Sequence, residues 1–199
     1  MHIYLIRHGQ KQRIPGNPPL TELGEKQAQA TGDYFASLDL DAIIASPVLR
    51  TQQTAKIIAD TLNMPIITDK RLVERAEWYE GPFADFMDEW RKSSQDRNYD
   101  PSTGDSSLKA GKRIEALIQE LEQKKEYNSV LFVSHGGIIT DFLRNITSDD
   151  FLIENYFHSF EKFRDTSVPE CSVTHLVKDD SGFQVQRLYG IEHLEKVER

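Results

Sequence analysis

The sequence predicts an α/β fold: a mostly parallel sheet, covered on both faces and closed by a hairpin at one edge. Short apolar, partly β-branched runs at 3–6, 41–45, 64–67 and 130–133 alternate with longer stretches whose apolar residues recur near a period of 3.6. Strands separated by helices pair in parallel, and the helices then cover the sheet. Two further strand-like runs, Ser172 to Val177 and Phe183 to Leu188, flank Asp179-Asp180-Ser181-Gly182, which reads as a hairpin turn.

Taken in order, Ile3 to Ile6 ends at Arg7-His8-Gly9, as a buried strand ends at a loop. Pro15 to Pro19 punctuates the chain before a helix read from Leu23, Thr31, Tyr34, Phe35 and Leu38. After the run Asp41 to Ala45, Ser46 is the expected N-cap and Pro47 the first helical residue. The inner face of that helix is Thr51, Ala55, Ile58, Ala59 and Leu62. Met64 to Ile67 is a short third strand. From Glu74 to Asp105 the periodicity breaks up among Trp78, Tyr79, Phe83, Phe86, Trp90 and Tyr99, which reads as an insertion over the core. Leu108, Ile114, Leu117, Ile118 and Leu121 then form one helical stripe leading to the strand Val130 to Val133. A helix from about Ile138 and a mixed aromatic and charged stretch from Phe151 to Arg164 complete the chain before the hairpin.

Composition narrows the function. The 199 residues include 38% hydrophobic and 28% charged side chains, ordinary for one domain spanning 1–199 with a modest insertion. With 24 basic against 32 acidic residues the formal charge is −8, which opposes a broad nucleic-acid footprint and confines any anion site to a local pocket. The single cysteine, Cys171, reads as a buried core residue and not as a disulfide or metal ligand. No apolar run is long enough for a membrane span, and Met1 to Arg7 lacks the pattern of a secretion signal, so the expected compartment is the cytoplasm. His2, His158, His175 and His193 have no ligand spacing, and no metal site is expected.

Three polar clusters follow predicted strands: Arg7-His8-Gly9, Ser46-Pro47-Val48-Leu49-Arg50 and Ser134-His135-Gly136-Gly137. Strands of a parallel sheet point their carboxyl ends the same way, so the clusters meet at one edge, where open α/β sheets bind ligands. Guanidinium forks match phosphate oxygens, Gly9 and Gly136 let backbone approach a ligand, and a helix start after Gly136-Gly137 is expected to add N–H donors. A neutral imidazole among cations could attack phosphorus, while the second imidazole with Arg7 and Arg50 neutralises the equatorial oxygens. A nearby carboxylic acid would serve the departing oxygen. Glu74 is the candidate, with Glu77 and Glu80 as alternatives by position.

These residues resemble the histidine phosphatase superfamily, in its phosphoglycerate mutase-like branch. The matching pieces are Arg7-His8-Gly9, Pro19-Leu20-Thr21-Glu22-Leu23-Gly24 with Gln27-Ala28, the run Ser46 to Ala55, Leu72-Val73-Glu74-Arg75 and Ser134-His135-Gly136-Gly137, with a weaker echo at Cys171 to Thr174. The resemblance implies a three-layer α/β/α sandwich with a cap inserted at about 75–105. It implies that His8 becomes the phosphohistidine, that Arg7, Arg50 and His135 bind the phosphoryl group, and that Glu74 donates the proton. No metal and no cofactor are implied.

The chain departs from the family pattern at Gln10, Lys11 and Ile14, where the family has Glu-Thr and an Asn that touches the phosphoryl group; Asn17 is the candidate replacement. The segment from Glu74 to Gly81 lacks the family's Gly before its aromatic and is shorter. The expected function is a phosphomonoesterase acting on a small phosphorylated metabolite. The alternatives are a phosphoglycerate or phosphosugar mutase, which would carry more chain around the pocket mouth, and an inactive phospho-ligand-binding protein. Lys11 and Arg13 are expected to favour substrates with a second anionic group. A Lys11→Ala/Arg13→Ala double variant should therefore lower kcat/KM for polyanionic phosphate esters relative to simple ones, and an unchanged ratio would refute that role.

Overall fold

A computed structural model describes residues 1–159, 162–163 and 168–197. Alternation along each central strand sets the layers. In β1 (His2–Arg7), Ile3 and Leu5 join the apolar cluster on one face, while Tyr4 and Ile6 join the cluster on the other. β2 (Ala42–Ala45) and β4 (Ser129–Ser134) divide their residues the same way, as the period of two in a strand requires. Because both faces are covered, these strands are buried along nearly their whole length.

α1 (Glu22–Phe35) and α2 (Leu49–Leu62) cover the face of Tyr4 and Ile6, contributing Phe35, Ala55, Ile58 and Ala59. α4 (Ser107–Lys124) and α5 (Gly136–Ile146) cover the face of Ile3 and Leu5, contributing Ile114, Leu117, Ile118, Ile138 and Phe142. With β3 (Ile66–Thr68), β5 (Val173–Asp179) and β6 (Gly182–Gly190), the sheet has six strands in the order β3-β2-β4-β1-β5-β6. The pairs β1 with β4, β2 with β4 and β2 with β3 are parallel. β5 runs antiparallel to β1, and β6 antiparallel to β5, so the antiparallel edge is a hairpin of two strands. The fold is thus the expected α/β/α sandwich.

Several local expectations need correction. Ser46 does not cap α2: its amide still donates to Val133 O at the end of the sheet, and the helix starts at Leu49 after Val48. Leu38 lies beyond the end of α1 and is exposed, and α5 begins at Gly136, earlier than Ile138. The third strand is shifted to 66–68 because Asn63 closes α2 in a left-handed conformation. The aperiodic stretch contains a helix, α3 (Phe83–Gln95), of which only Ser93 is fully buried. Its aromatic residues Phe83, Phe86 and Trp90 pack on one another at helical spacing, so its pattern reports a local contact and not the main core. The stretch from Phe151 begins in a short helix, α6 (Asp149–Leu152), and continues as a π turn over Ile153–Phe157, while 160, 161 and 164 lie outside the described residues. No helix among the described residues is long and apolar enough to cross a membrane.

Phe132 sits at the centre of β4, fully buried. Phe132→Ala should cost about 3–5 kcal/mol through lost burial and the cavity left behind. Urea unfolding should show a lower midpoint with an unchanged slope.

Candidate active site

The carboxyl ends of β1, β2 and β4 face the same edge, and the three polar clusters meet there. Thr21 donates to and braces the Gln10 end of the loop after β1, and a Cβ on Gly24 would lie 2.1 Å from Gln10 O. Gly24 is thus required for α1 to press against that loop. His8 N donates to Ser134 O (3.0 Å), and Gly9 N donates to Thr54 Oγ1 (3.0 Å), which pins the loop to β4 and α2. The Gly9 amide, expected at the ligand, is therefore used in holding the loop.

His8 is buried, and its Nδ1 lies 2.7 Å from Gly9 O. A carbonyl only accepts, so Nδ1 carries the proton and Nε2 carries the lone pair. Arg50 Nε donates to that Nε2 at 3.0 Å. Arg50 Nη2 reaches His135 Nδ1 at 2.9 Å, which leaves the His135 Nε2 proton to be donated to Ser46 Oγ at 3.0 Å. The two imidazole centroids are 5.4 Å apart. Burial first, then the Arg7 and Arg50 charges, hold His8 well below the usual histidine value. Burial first, then Arg50, does the same to His135. Both rings are neutral near pH 7.

Arg7 lies at the side of this cluster, its stem against Gly136, and it donates to Val168 O and to Glu170 Oε1 (3.0 Å). Arg50 also donates from Nη2 to Glu77 Oε1, while its Nη1 is buried without a hydrogen-bond partner among the described residues. Lys11 stands close enough to Arg50, Glu77 and Arg7 to feel each charge. Burial first, then Arg50, lowers its value. Arg13 and Ile14 are exposed.

Two sequence-predicted residues occupy unexpected places. Asn17 Oδ1 accepts from Leu49 N at 3.0 Å, so Asn17 serves the start of α2. The amides of Gly137 and Ile138, expected as phosphoryl donors, are taken by Glu74: Gly137 N donates to Oε2 at 2.9 Å and Ile138 N to Oε1 at 2.8 Å. A Cβ on Gly137 would lie 2.6 Å from Glu74 Oε1 and 2.5 Å from the Trp90 ring, which is why glycine stands there. Glu80 is exposed at the rim of a cavity of about 520 Å³ that Glu74 and Glu77 also line.

The partners without a predicted site role are Ser46, expected as a helix cap, Thr54 and Glu170. Thr54 could have been found from its place one helical turn after Arg50, whose carbonyl accepts its hydroxyl at 2.8 Å. Glu170 is distant in sequence from Arg7 and gave no such signal.

The sequence pattern of the histidine phosphatase superfamily (branch 1) matches residues 3–190. The chain belongs to that superfamily. It is 34% identical over 150 residues to the "Probable phosphoglycerate mutase GpmB" of Enterobacter sp. (strain 638), covering 68% of this chain and 70% of that protein. It is 35% identical over the same length to the protein of that name from Proteus mirabilis (strain HI4320), with the same coverage. Among solved structures, a mycobacterial glucosyl-3-phosphoglycerate phosphatase superposes with a TM-score of 0.76 at 19% identity, covering 96% of this chain and 99% of that one. The alpha-ribazole phosphatase from Shigella flexneri gives 0.72 at 20% identity, covering 96% of each chain. These structural likenesses establish a shared fold.

The buried Arg50 pairs with Glu77 beside Lys11, in the loop where the chain departs from the family pattern. The neutral histidines also carry a stability consequence. A buried histidine with a depressed value binds fewer protons than it does unfolded, so its stabilising contribution is complete above about pH 6.5 and declines as pH falls towards the folded value. His8→Gln should therefore make Tm fall less steeply than in the wild type between pH 7 and 5, read by calorimetry. Parallel curves would show that His8 is not held neutral.

Proposed function

We propose that this chain is a metal-independent phosphomonoesterase that acts on a small phosphorylated metabolite through a phosphohistidine at His8. The observation that carries the reading is the hydrogen-bonded orientation of the His8 ring. Nδ1 is committed to Gly9 O, so the lone pair on Nε2 faces the Arg50 guanidinium at 3.0 Å. A phosphoryl group drawn to Arg50 takes over its Nε–H, breaking that hydrogen bond and freeing the Nε2 lone pair to meet phosphorus.

In the first step the His8 Nε2 lone pair forms the P–N bond as the ester P–O bond breaks, and a carboxyl group gives its proton to the departing oxygen. Arg50 and Arg7 supply fixed positive charge for the equatorial oxygens, and His135 lies beside them. Loss of the Nδ1 bond to Gly9 O would free the His8 ring to rotate, so that contact also keeps the nucleophile aimed. In the second step water attacks phosphorus, the P–N bond breaks, and the same carboxylate takes the water's proton. Guanidinium charge here serves the purpose that a metal ion serves in other phosphatases.

A mutase is the second reading, and the names of the Enterobacter and Proteus relatives favour it. It would use the same intermediate and return the phosphoryl group to a bound substrate. The phosphatase reading is supported by the glucosyl-3-phosphoglycerate and alpha-ribazole phosphatases whose fold this chain shares.

With EDTA present, the protein should release phosphate from p-nitrophenyl phosphate, and 3-phosphoglycerate should yield more phosphate than isomer. Alkaline trapping should recover acid-labile label from the wild type and none from His8→Ala. Isomer as the main product would establish the mutase, neither product would indicate a binding protein, and a fully active His8→Ala would remove the nucleophile from the reading.

A further inference from the structure

The insertion carries rings and carboxylates that the chemistry at phosphorus does not use, and the cavity of about 520 Å³ gathers them. Trp78 packs against Phe83 with ring centroids 5.0 Å apart, Phe83 lies 6.1 Å from Phe86, and Phe86 lies 6.0 Å from Trp90. This ladder starts in solvent at Phe83 and ends where Trp90 closes on Gly137 in the first turn of α5. Trp78, Tyr79, Phe86 and Trp90 line the cavity. Trp78 is fixed there, because its carbonyl accepts from Gly16 N at 2.9 Å and its Nε1 donates to Gly81 O at 3.1 Å. Tyr79 is 65% exposed and has no ring or hydrogen-bond partner for its side chain among the described residues.

The charge of the lining is one-sided. Glu74, Glu77, Glu80, Asp85 and Glu89 face it, and Arg75 is the one cation among them. Arg75 is taken by Asp141 and lies against the Trp90 ring, so its charge is already answered. Glu74 is held by backbone amides, Glu77 by Arg50, and Glu89 by Lys92 and Tyr99. The carboxylates of Glu80 and Asp85 have no partner among the described residues. Both are exposed beside Tyr79, so unanswered negative charge stands at the rim next to a free aromatic face.

Resting on the phosphomonoesterase reading above, we propose that this cavity receives the alcohol half of the substrate and that this alcohol carries an alkylammonium group, as in the phosphate ester of an amino alcohol. The site is then dipolar. Arg50 and Arg7 take the phosphoryl end, and the cavity adjoins it at Glu77, which meets Arg50. Tyr79, Glu80 and Asp85 meet the cation at the other end. An alkylated ammonium is attracted to the negative face of an aromatic ring and needs no hydrogen-bond acceptor, so a ring-lined cavity suits it. The two carboxylates add a field of the matching sign. A neutral alcohol of the same shape would gain the ring contacts and forgo that field, and an anionic alcohol such as glycerate would be repelled by it. Neither Lys11 nor Arg13 lines the cavity, so their positive charge does not cancel this preference where the alcohol lies.

The test compares two esters of one shape. Phosphocholine and 3,3-dimethylbutyl phosphate differ in that a quaternary nitrogen replaces a quaternary carbon, so the ratio of their kcat/KM values reads the cation alone. The wild-type protein should favour phosphocholine by roughly 5- to 30-fold. The ratio should fall towards one in Tyr79→Leu/Asp85→Asn, whose two positions are exposed and whose replacements keep the side-chain bulk, and Tm should be unchanged. Raising the salt concentration should shrink the wild-type ratio, because the carboxylates at the rim are screened. A wild-type ratio at or below one overturns the assignment, as does a ratio that the double variant leaves intact. It is overturned as well if p-nitrophenyl phosphate is hydrolysed and neither alkyl ester is. The phosphomonoesterase reading fails separately, through absence of phosphate release from every ester together with absence of acid-labile label on the wild-type protein.

Discussion

The site is organised by one buried guanidinium. Arg50 is 3% exposed, and its nitrogens reach His8, His135 and Glu77 from the first turns of α2. A cation withdrawn from water to this extent is expensive unless it is paired and hydrogen-bonded, and removal of its partners would leave that cost uncompensated. The surrounding groups follow from that constraint. Two imidazoles can stand beside Arg50 only if they remain neutral, and neutrality gives one of them the lone pair that a nucleophile requires. The negative group within reach is Glu77, which a phosphoryl dianion would outmatch in charge. Burial first and the guanidinium charges second depress the histidines, whereas Glu77 is raised by its own burial against the pull of Arg50.

The sheet makes this convergence inexpensive. β1, β2 and β4 are parallel neighbours, so Arg7-His8, Ser46 and His135 emerge at one level without any specialised loop to carry them there. Ser134 pairs with Arg7 in the register of β1 and β4, which places His8 and His135 side by side at the next step of the chain. The closeness of the two rings is therefore a property of strand register, and a one-residue slip of β1 against β4 would put them out of step.

Legibility in the sequence tracked the range of the forces involved. The sheet, the helices over it and the residues at strand ends were readable, because burial on both faces writes continuous apolar runs and amphipathic stripes write periodicity. The Ser46 cap was misread because its hydroxyl serves His135, from a strand far along the chain, so a local capping rule was overruled by a distant partner. α3 was missed because its apolar residues pack on each other outside the main core, leaving little periodic contrast. Gly136-Gly137 was read as an anion cradle on sound grounds: the helix start does bind an anion, and the anion is the carboxylate of Glu74.

That last substitution explains how the insertion is registered on the sandwich. Glu74 and Arg75 are adjacent in sequence and opposite in charge, yet both are directed at α5. Glu74 holds the amides of its first turn, and Arg75 Nη1 reaches Asp141 Oδ1 at 2.9 Å one turn further on. Asp141 is almost wholly buried, and burial outweighs the Arg75 charge enough to push its carboxyl group up to about 6. Arg75 also lies 3.7 Å from the Trp90 ring centroid, so α3 is gripped by the same side chain. Two consecutive residues thereby fix both the axial position of α5 and the place of α3. Glu77, only three residues further along, can then reach Arg50 from a stretch whose position is set. The dipeptide therefore ties the stretch that carries both carboxylates to α5 and α3 at once.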